Sequence, residues 1–305
     1  QVGVSTWDEL YEFSIRDVEK FTAEVLRFLD IKFDPPYEKL LDTSNGIEFP
    51  NWLSGAGLNI TEMCLHRWQA DAMNQPAVIW EGEEGDVRQV TYSELFGMVE
   101  RCAAGLQARE LGKGDAIGIH LPMMIETVVA LLAINRIGAI AVPVFSGYGI
   151  EAITSRMNAV HAKAIFISDG FPRRGKWVDA FDTAFQAIEL SDAIEKIFIV
   201  QTAPNLDGKP TGYLNETWCS FAYLMDEYGS LATENSPLEK TSAEDPLIIL
   251  YTSGTTGKPK GIAHTHASFP IKAAQDMAFG TDVGKCTRIS WYTDIGWMMG
   301  PWLIY

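Results

Sequence analysis

A regular alternation of short apolar segments and amphipathic segments runs through the middle of the sequence, and it constrains the fold more than any other feature. Between residues 77 and 201, strand-like runs are separated by stretches of helical periodicity, with short polar or glycine-bearing turns between them. This β-α-β-α pattern is typical of a parallel sheet, because each parallel strand needs a crossover connection to the next. The sequence therefore predicts an α/β fold with layered, parallel-rich sheets covered by helices.

The pattern also gives approximate element bounds. We predict strands at 77–80, 115–121, 139–145, 164–168 and 195–201, and helices at 91–109, 123–137, 151–162 and 178–188. The first of these helices has the clearest start, because Thr91 and Glu94 have the spacing of a capping box. Upstream, apolar residues recur at helical spacing over 17–30, and Asn59 can cap a further helix that ends near Met73.

Changes in this pattern divide the chain into three segments. Residues 1–75 form a leader, 76–235 a first α/β subdomain, and 236–305 the start of a second subdomain. The stretch from Glu234 to Pro246 is rich in Ser, Glu and Pro, which is typical of a linker. The sequence begins with Gln and ends inside an apolar run, so we expect a truncated piece of a longer protein with an incomplete second subdomain.

Composition excludes several classes of partner. Lys and Arg total 24 against 40 Asp and Glu, a formal charge of −16, which repels nucleic acid and anionic lipid. No apolar stretch approaches the roughly 20 residues of a membrane helix, so we expect no membrane span. The 4 cysteines are far apart and form no C-x-x-C pair, which favours a reduced, cytoplasmic protein. Nothing in the sequence indicates an oligomeric state.

One segment carries the residues of a phosphate-binding loop. The apolar strand 247–250 leads directly into a run of glycines, hydroxyl side chains and lysines from Tyr251 to Gly261. Glycine lets several backbone N–H groups converge on one anion, and each hydrogen bond to a charged group contributes about 1.5 to 3 kcal/mol. The candidate phosphate-binding residues are Thr252, Ser253, Gly254, Thr255, Thr256, Gly257, Lys258 and Lys260.

Two other kinds of loop have a similar composition. The Walker loop has four residues between its glycines and Ser or Thr after its lysine, whereas here two residues intervene and Pro259 follows Lys258. This spacing rules out a P-loop NTPase. A solvated hairpin that binds no ligand stays open as an alternative.

The run from Tyr251 to Gly261 resembles the phosphate-binding signature of the adenylate-forming superfamily, which includes acyl-CoA synthetases, firefly luciferase and peptide-synthetase adenylation domains. Within that superfamily the chain is similar to the acetyl-CoA synthetase branch, through 7–14, 57–61, 121–124 and 144–148, and the similarity extends from residue 7 to residue 305. The resemblance implies the large N-terminal domain of an adenylate-forming enzyme.

The same resemblance implies an acid-thiol ligase acting in fatty acid or short-chain acid metabolism. Such an enzyme uses ATP and Mg²⁺ to convert a small carboxylic acid into an acyl-adenylate with loss of pyrophosphate, and CoA then displaces AMP to give an acyl-CoA thioester. Two alternatives stay open: an adenylate-forming enzyme with a different acyl acceptor, and a non-catalytic protein that binds a nucleotide or CoA.

By resemblance, Gly147 and the basic cluster Arg173, Arg174, Gly175 and Lys176 correspond to the positions where these synthetases hold the nucleotide part of CoA. The guanidinium of Arg173 offers a planar fork for phosphate and Lys176 a point charge. The family commonly has Arg at the position of Lys176. An ordinary solvated basic turn is the alternative for this cluster.

The segment 293–300 resembles the family's aromatic motif beside the acyl pocket and the pantetheine tunnel. Trp297 and Met298 are expected to form the wall of the acyl pocket. Met299 is expected near CoA, where acetyl-CoA synthetases usually have Thr, and this departure favours an apolar acid other than acetate. The alternative is that all three side chains belong to the core.

The lysine that favours adenylation lies in the C-terminal part of the family's enzymes and has no counterpart here. We therefore predict no catalytic residue in this sequence, identify no metal ligand, and expect residues 1–305 to be inactive by themselves.

Overall fold

The computed structural model describes residues 3–202, 215–227, 238–252 and 259–305. The strands are β1 (Lys39–Asp42), β2 (Asn51–Ser54), β3 (Pro76–Glu81), β4 (Val87–Thr91), β5 (Ala116–His120), β6 (Ile140–Pro143), β7 (Ala164–Ser168), β8 (Phe171–Arg173), β9 (Lys176–Val178), β10 (Lys196–Val200), β11 (Trp218–Ser220), β12 (Pro246–Thr252) and β13 (Lys260–Thr265). The helices are α1 (Trp7–Arg16), α2 (Val18–Phe28), α3 (Trp68–Asp71), α4 (Tyr92–Ala108), α5 (Ile125–Arg136), α6 (Ile150–Ala159), α7 (Ala180–Glu189), α8 (Phe221–Glu227), α9 (Phe269–Gly280) and α10 (Met299–Ile304), with a π-helical turn at Glu62–His66.

A seven-stranded sheet forms the centre of the fold, with the strand order β11-β10-β7-β5-β6-β12-β13. Neighbouring strands are parallel, except that β13 runs antiparallel to β12. Strands β5 and β7 are buried along their whole length, as expected where helices cover both faces of a parallel sheet. The predicted α/β fold class is confirmed.

Helices cover the sheet on both faces. On one face, α4 packs against α5 and α8, and the core there includes Ile117, Phe166 and Phe198. On the other face, α6 packs against α7 over a second core that includes Ile165 and Ile199. Among the described helices, α5 is the most enclosed, because every one of its residues except Glu126 is buried.

The capping box predicted for α4 is present. The Thr91 hydroxyl accepts a hydrogen bond from the backbone N–H of Glu94 at 3.2 Å, and the Glu94 carboxylate accepts one from the backbone N–H of Thr91 at 2.8 Å. These bonds satisfy two N–H groups that a helix start leaves unpaired. The capping box therefore explains why the start of α4 was predicted correctly.

The predicted helix from Asn59 to Met73 is interrupted by the π-helical turn before α3. The Asn59 side chain oxygen does accept the backbone N–H of Thr61 at 3.2 Å. Its amide group, however, donates to the carbonyl oxygens of Asn135 and Arg136, at 3.0 and 3.2 Å. The residue expected to cap a helix therefore also ties the leader to the end of α5.

The segment predicted as a linker, 234–246, packs against the leader in its described part. The N–H of Leu58 donates to the carbonyl of Thr241 at 3.0 Å, and the N–H of Ala243 donates to the carbonyl of Ala56 at 2.9 Å. Ala243 is fully buried. The linker interpretation is therefore wrong for residues 241–243. The division into three segments stays a prediction, and β12 and β13 share their sheet with strands of 76–235.

Across the described ranges, the helices are too short or too polar to cross a bilayer.

Candidate functional site

The carboxyl ends of the parallel strands bring the predicted site residues to one edge of the sheet. Strands β6 and β12 are neighbours, with Ala141 opposite Ile248. Residues 144–148 follow β6, and the phosphate-binding run follows from the end of β12. Ligands of open α/β sheets bind outside this edge, so the geometry is suitable for a binding site.

The phosphate-binding run connects two antiparallel strands. Thr252 and Lys260 are exposed partners at the end of the β12–β13 pair. Six of the predicted residues, Ser253, Gly254, Thr255, Thr256, Gly257 and Lys258, lie outside the described residues. A Walker loop leads from a strand into a helix, so the topology agrees with the spacing argument against a P-loop NTPase.

The basic cluster is the tip of the β8–β9 hairpin. Arg173 and Lys176 are partners at the end of the two strands, and the residues between them, Arg174 and Gly175, have φ of 53° and 71°. Two consecutive residues with positive φ form the tight turn whose twist suits a hairpin. Arg174, Gly175 and Lys176 are exposed, and Arg173 is half-buried.

Gly147 lies next to Arg173. A Cβ atom on Gly147 would lie 3.0 Å from a terminal nitrogen of the Arg173 guanidinium and 2.6 Å from the ring of Phe145. The guanidinium itself lies over the Phe145 ring, 5.2 Å from its centroid. The structure thus brings together two predicted CoA-binding residues that are far apart in sequence.

The aromatic segment reaches the same place. The Trp297 ring centroid is 5.8 Å from that of Phe145. Trp297 and Met298 are 53% and 56% exposed, which argues against the alternative that they are core residues. Met299 is the first residue of α10 and packs, half-buried, against the main core.

A buried carboxylate holds this segment against the end of β6. Asp294 accepts hydrogen bonds from the Ser146 hydroxyl at 2.5 Å, the Ser146 backbone N–H at 3.3 Å and the Gly296 backbone N–H at 2.9 Å. Burial raises the pKa of Asp294, while these hydrogen bonds and the charge of Arg173 oppose the rise. Sequence reasoning missed Phe145, Ser146 and Asp294. Their positions in the sequence were the available signal. Phe145 and Ser146 directly precede Gly147, and Asp294 lies within the aromatic motif.

A buried cation, Arg156, lies near the phosphate-binding run. The guanidinium of Arg156 lies between the rings of Tyr148 and Tyr251, 4.4 and 5.2 Å from their centroids. The Tyr251 hydroxyl donates to the carbonyl of Arg156 at 3.2 Å. Since Tyr251 immediately precedes Thr252, this stack fixes the strand end from which the run begins.

Within the described ranges, no group of three or more His, Cys, Asp or Glu side chains could hold a metal ion.

Two family models together match residues 7–305 of the chain. A family model described as the acetyl-coenzyme A synthetase N-terminus matches residues 7–64. A second model, described as AMP-binding enzyme, matches residues 65–305, which is well over half of the chain.

The chain belongs to the AMP-binding enzyme family.

Relatives within the AMP-binding enzyme family agree with the resemblance to acetyl-CoA synthetases. The acetyl-coenzyme A synthetase of Bradyrhizobium diazoefficiens is 34% identical over 302 residues, covering 98% of this chain and 45% of the relative. That of Streptomyces avermitilis is 36% identical over 299 residues, covering 96% and 43%. The chain thus spans less than half the length of these relatives.

A solved structure supports the same placement. The acetoacetyl-CoA synthetase from Streptomyces lividans superimposes with a TM-score of 0.88 at 27% identity, covering 99% of this chain and 44% of that chain. The predicted acetyl-CoA-synthetase-like branch of the AMP-binding enzyme family, and its N-terminal α/β fold, are confirmed.

Proposed function

We propose that this chain is the N-terminal portion of an ATP-dependent carboxylate:CoA ligase. The observation that carries the proposal is the convergence of Gly147, Arg173 and Trp297 around Phe145. This cluster lies at the sheet edge that also holds the two described ends of the phosphate-binding run, Thr252 and Lys260. One edge would thus bring ATP, the acid and CoA within reach of one another.

In the first half-reaction, a carboxylate oxygen attacks the α-phosphorus of ATP and pyrophosphate leaves. The run from Thr252 to Lys260 would bind and neutralise the β- and γ-phosphates through backbone N–H groups, hydroxyls and lysines. The nucleophile is already ionised near neutral pH, so no base is required. His264 is half-buried, its ring packs against Phe269, and burial lowers its pKa. Mg²⁺ would neutralise phosphate charge and enter with ATP, since it binds through substrate phosphates and few protein ligands.

In the second half-reaction, the CoA thiol attacks the acyl carbonyl and AMP leaves. The hairpin tip from Arg173 to Lys176 would hold the nucleotide end of CoA, and Gly147 leaves room beside it. Trp297 and Met298 would border the acyl group and Met299 the thiol arm. Flexible thioethers suit an apolar acid other than acetate. The three-segment division and the cytoplasmic location stay proposals from the sequence.

The test is ATP–pyrophosphate exchange with acetate, acetoacetate, butyrate, hexanoate and an aryl acid, each with and without CoA. It is run on residues 1–305 and on the product of the complete open reading frame. Exchange with one acid and CoA-dependent AMP release by the complete product would support the ligase, whereas ATP and CoA binding without exchange would favour a binding protein. Residues 1–305 alone are expected to show no exchange.

Arg173→Ala is expected to weaken CoA binding by about 10- to 100-fold, because each hydrogen bond between charged groups contributes about 1.5 to 3 kcal/mol. Binding of dephospho-CoA, which lacks the 3′-phosphate, should change little. Isothermal titration calorimetry on residues 1–305 measures both. Arg101→Ala, an exposed arginine on α4, is the control. An equal loss for both ligands would contradict a role for Arg173 at the 3′-phosphate.

Glu83→Gln is expected to tighten CoA binding by about two- to fivefold. The Glu83 carboxylate accepts the backbone N–H of Gly175 at 2.5 Å, so it places negative charge at the basic tip. A surface charge of this kind contributes about 1 kcal/mol or less, and less at high salt. Titrations at low and high salt measure the gain. Glu84→Gln, next along the exposed β3–β4 turn, is the control, and equal gains would indicate only a general charge effect.

A further inference from the structure

The ring of Phe145 contacts both parts of the proposed CoA and acyl site. One contact is the Arg173 guanidinium, 5.2 Å from the ring centroid. The other is the Trp297 ring, 5.8 Å between centroids. Arg173 and Trp297 come from separate segments, β8 and the stretch before α10, so a single side chain links a proposed phosphate ligand to a proposed acyl wall.

Asp294 makes a second connection between the same two parts. It is 8% exposed and its main partner, Ser146, is 6% exposed. Its carboxylate accepts a hydrogen bond from the N–H of Gly296, next to Trp297, and the positive charge of Arg173 favours its ionised form. A buried carboxylate depends on such neighbours for its stability. The hydrogen bonds from Ser146 and Gly296 therefore supply most of this stabilisation, and the charge of Arg173 adds to it.

Phosphate binding at Arg173 would change both connections at once. A guanidinium that turns toward a phosphate alters its stack on Phe145 and weakens its field at Asp294. Both of these residues hold the segment that carries Trp297. Packed contacts of this kind transmit small shifts because they have few alternative arrangements.

We propose that Phe145 and Asp294 are positioning residues that couple phosphate binding at Arg173 to the packing of Trp297. The inference rests on the proposed CoA site and adds an order to it: the nucleotide end of CoA prepares the acyl wall before the thiol arm arrives. The coupling is reciprocal, so a change at Trp297 also changes phosphate affinity.

The probe is adenosine 3′,5′-bisphosphate, which carries the 3′-phosphate and one 5′-phosphate of the CoA nucleotide and lacks the pantetheine arm that could touch Trp297. The indole N–H signals of the 9 tryptophans are followed by NMR in ¹⁵N-labelled protein. The Trp297 signal is assigned by its loss in Trp297→Phe. The exposed Trp7, in α1, is the internal reference.

In the wild type, the bisphosphate is expected to shift the Trp297 signal and leave the Trp7 signal in place. Asp294→Asn keeps the shape and removes the charge, and Phe145→Leu removes the ring. In each variant, the Trp297 shift measured at saturating probe should fall by more than half. Trp297→Ala should change probe affinity by about threefold or more, and thermal melts check that each variant is folded.

Two results would overturn the inference in different ways. If calorimetry shows binding to the wild type while the Trp297 signal stays in place, the coupling is wrong and the CoA site stands. If the probe does not bind at all, the proposed CoA site is itself wrong, and the coupling with it.

Discussion

Gly296→Ala will destabilise the protein by about 3 kcal/mol, at the upper end of the cost of overpacking, and will remove Trp297 from the site. A Cβ atom at this position would overlap the backbone N and Cα of Phe145 and approach the carbonyl carbon of Val144 at 2.7 Å. All three are backbone atoms, so no side chain can move aside. The segment before α10 would therefore separate from the end of β6.

Urea unfolding measures this loss, and intrinsic tryptophan emission reports the change at Trp297. Gly97→Ala is the matched control, because Gly97 lies inside α4 and a Cβ there would meet nothing within 4 Å. Alanine in a helix is favoured over glycine by about 1 kcal/mol, so the control should be more stable than wild type. If Gly296→Ala and Gly97→Ala changed the free energy of unfolding equally, the close approach at Gly296 would be unimportant.

Arg136→Met is expected to cost about 3 to 5 kcal/mol, the usual result of removing one partner of a buried ion pair. Arg136 is 7% exposed, and its guanidinium pairs with the carboxylate of Glu100 and lies over the ring of Phe96. Burial raises the pKa of Glu100, and the charge of Arg136 opposes this rise. Without Arg136 the carboxylate is left buried and uncompensated.

The double variant Arg136→Met with Glu100→Leu is compared with the single variant. Replacing both charges of a buried ion pair with apolar groups often leaves stability unchanged. Chemical unfolding should show that the double variant recovers most of the loss. In the single variant, folded Glu100 holds its proton to higher pH than the unfolded chain does, so stability should fall as pH rises above the ordinary glutamate range. Additive losses in the double variant would contradict the ion-pair explanation.

Short sequence patterns predicted those elements of the fold that depend on contacts between residues close in sequence. The start of α4 follows from Thr91 and Glu94, three residues apart, and the buried strands from short apolar runs. The β8–β9 hairpin was missed because its strands have three residues each and one contains Pro172. The helix predicted from Val178 consequently starts at Ala180, since Val178 pairs with Phe171.

Contacts between distant segments explain the other differences. The polar composition of 234–246 suggested a linker, yet Thr241 pairs with Leu58 across 183 positions of sequence. At the candidate site, the resemblance supplied Gly147, Arg173 and Trp297. It did not supply Asp294, whose importance comes from hydrogen bonds to Ser146, 148 positions away. Hydrophobic periodicity does not predict hydrogen bonds between residues that are distant in sequence, because it describes one element at a time.

The burial of α5 also has a consequence for hydrogen exchange. Segments near the surface open by local fluctuations, whereas fully enclosed ones exchange their amide hydrogens only when the whole unit unfolds. The amides of 128–136 should therefore be the slowest in the protein to take up deuterium. Their exchange rate would report global stability from within the native state, and peptides from the hairpin tip near Arg173 would report only local opening.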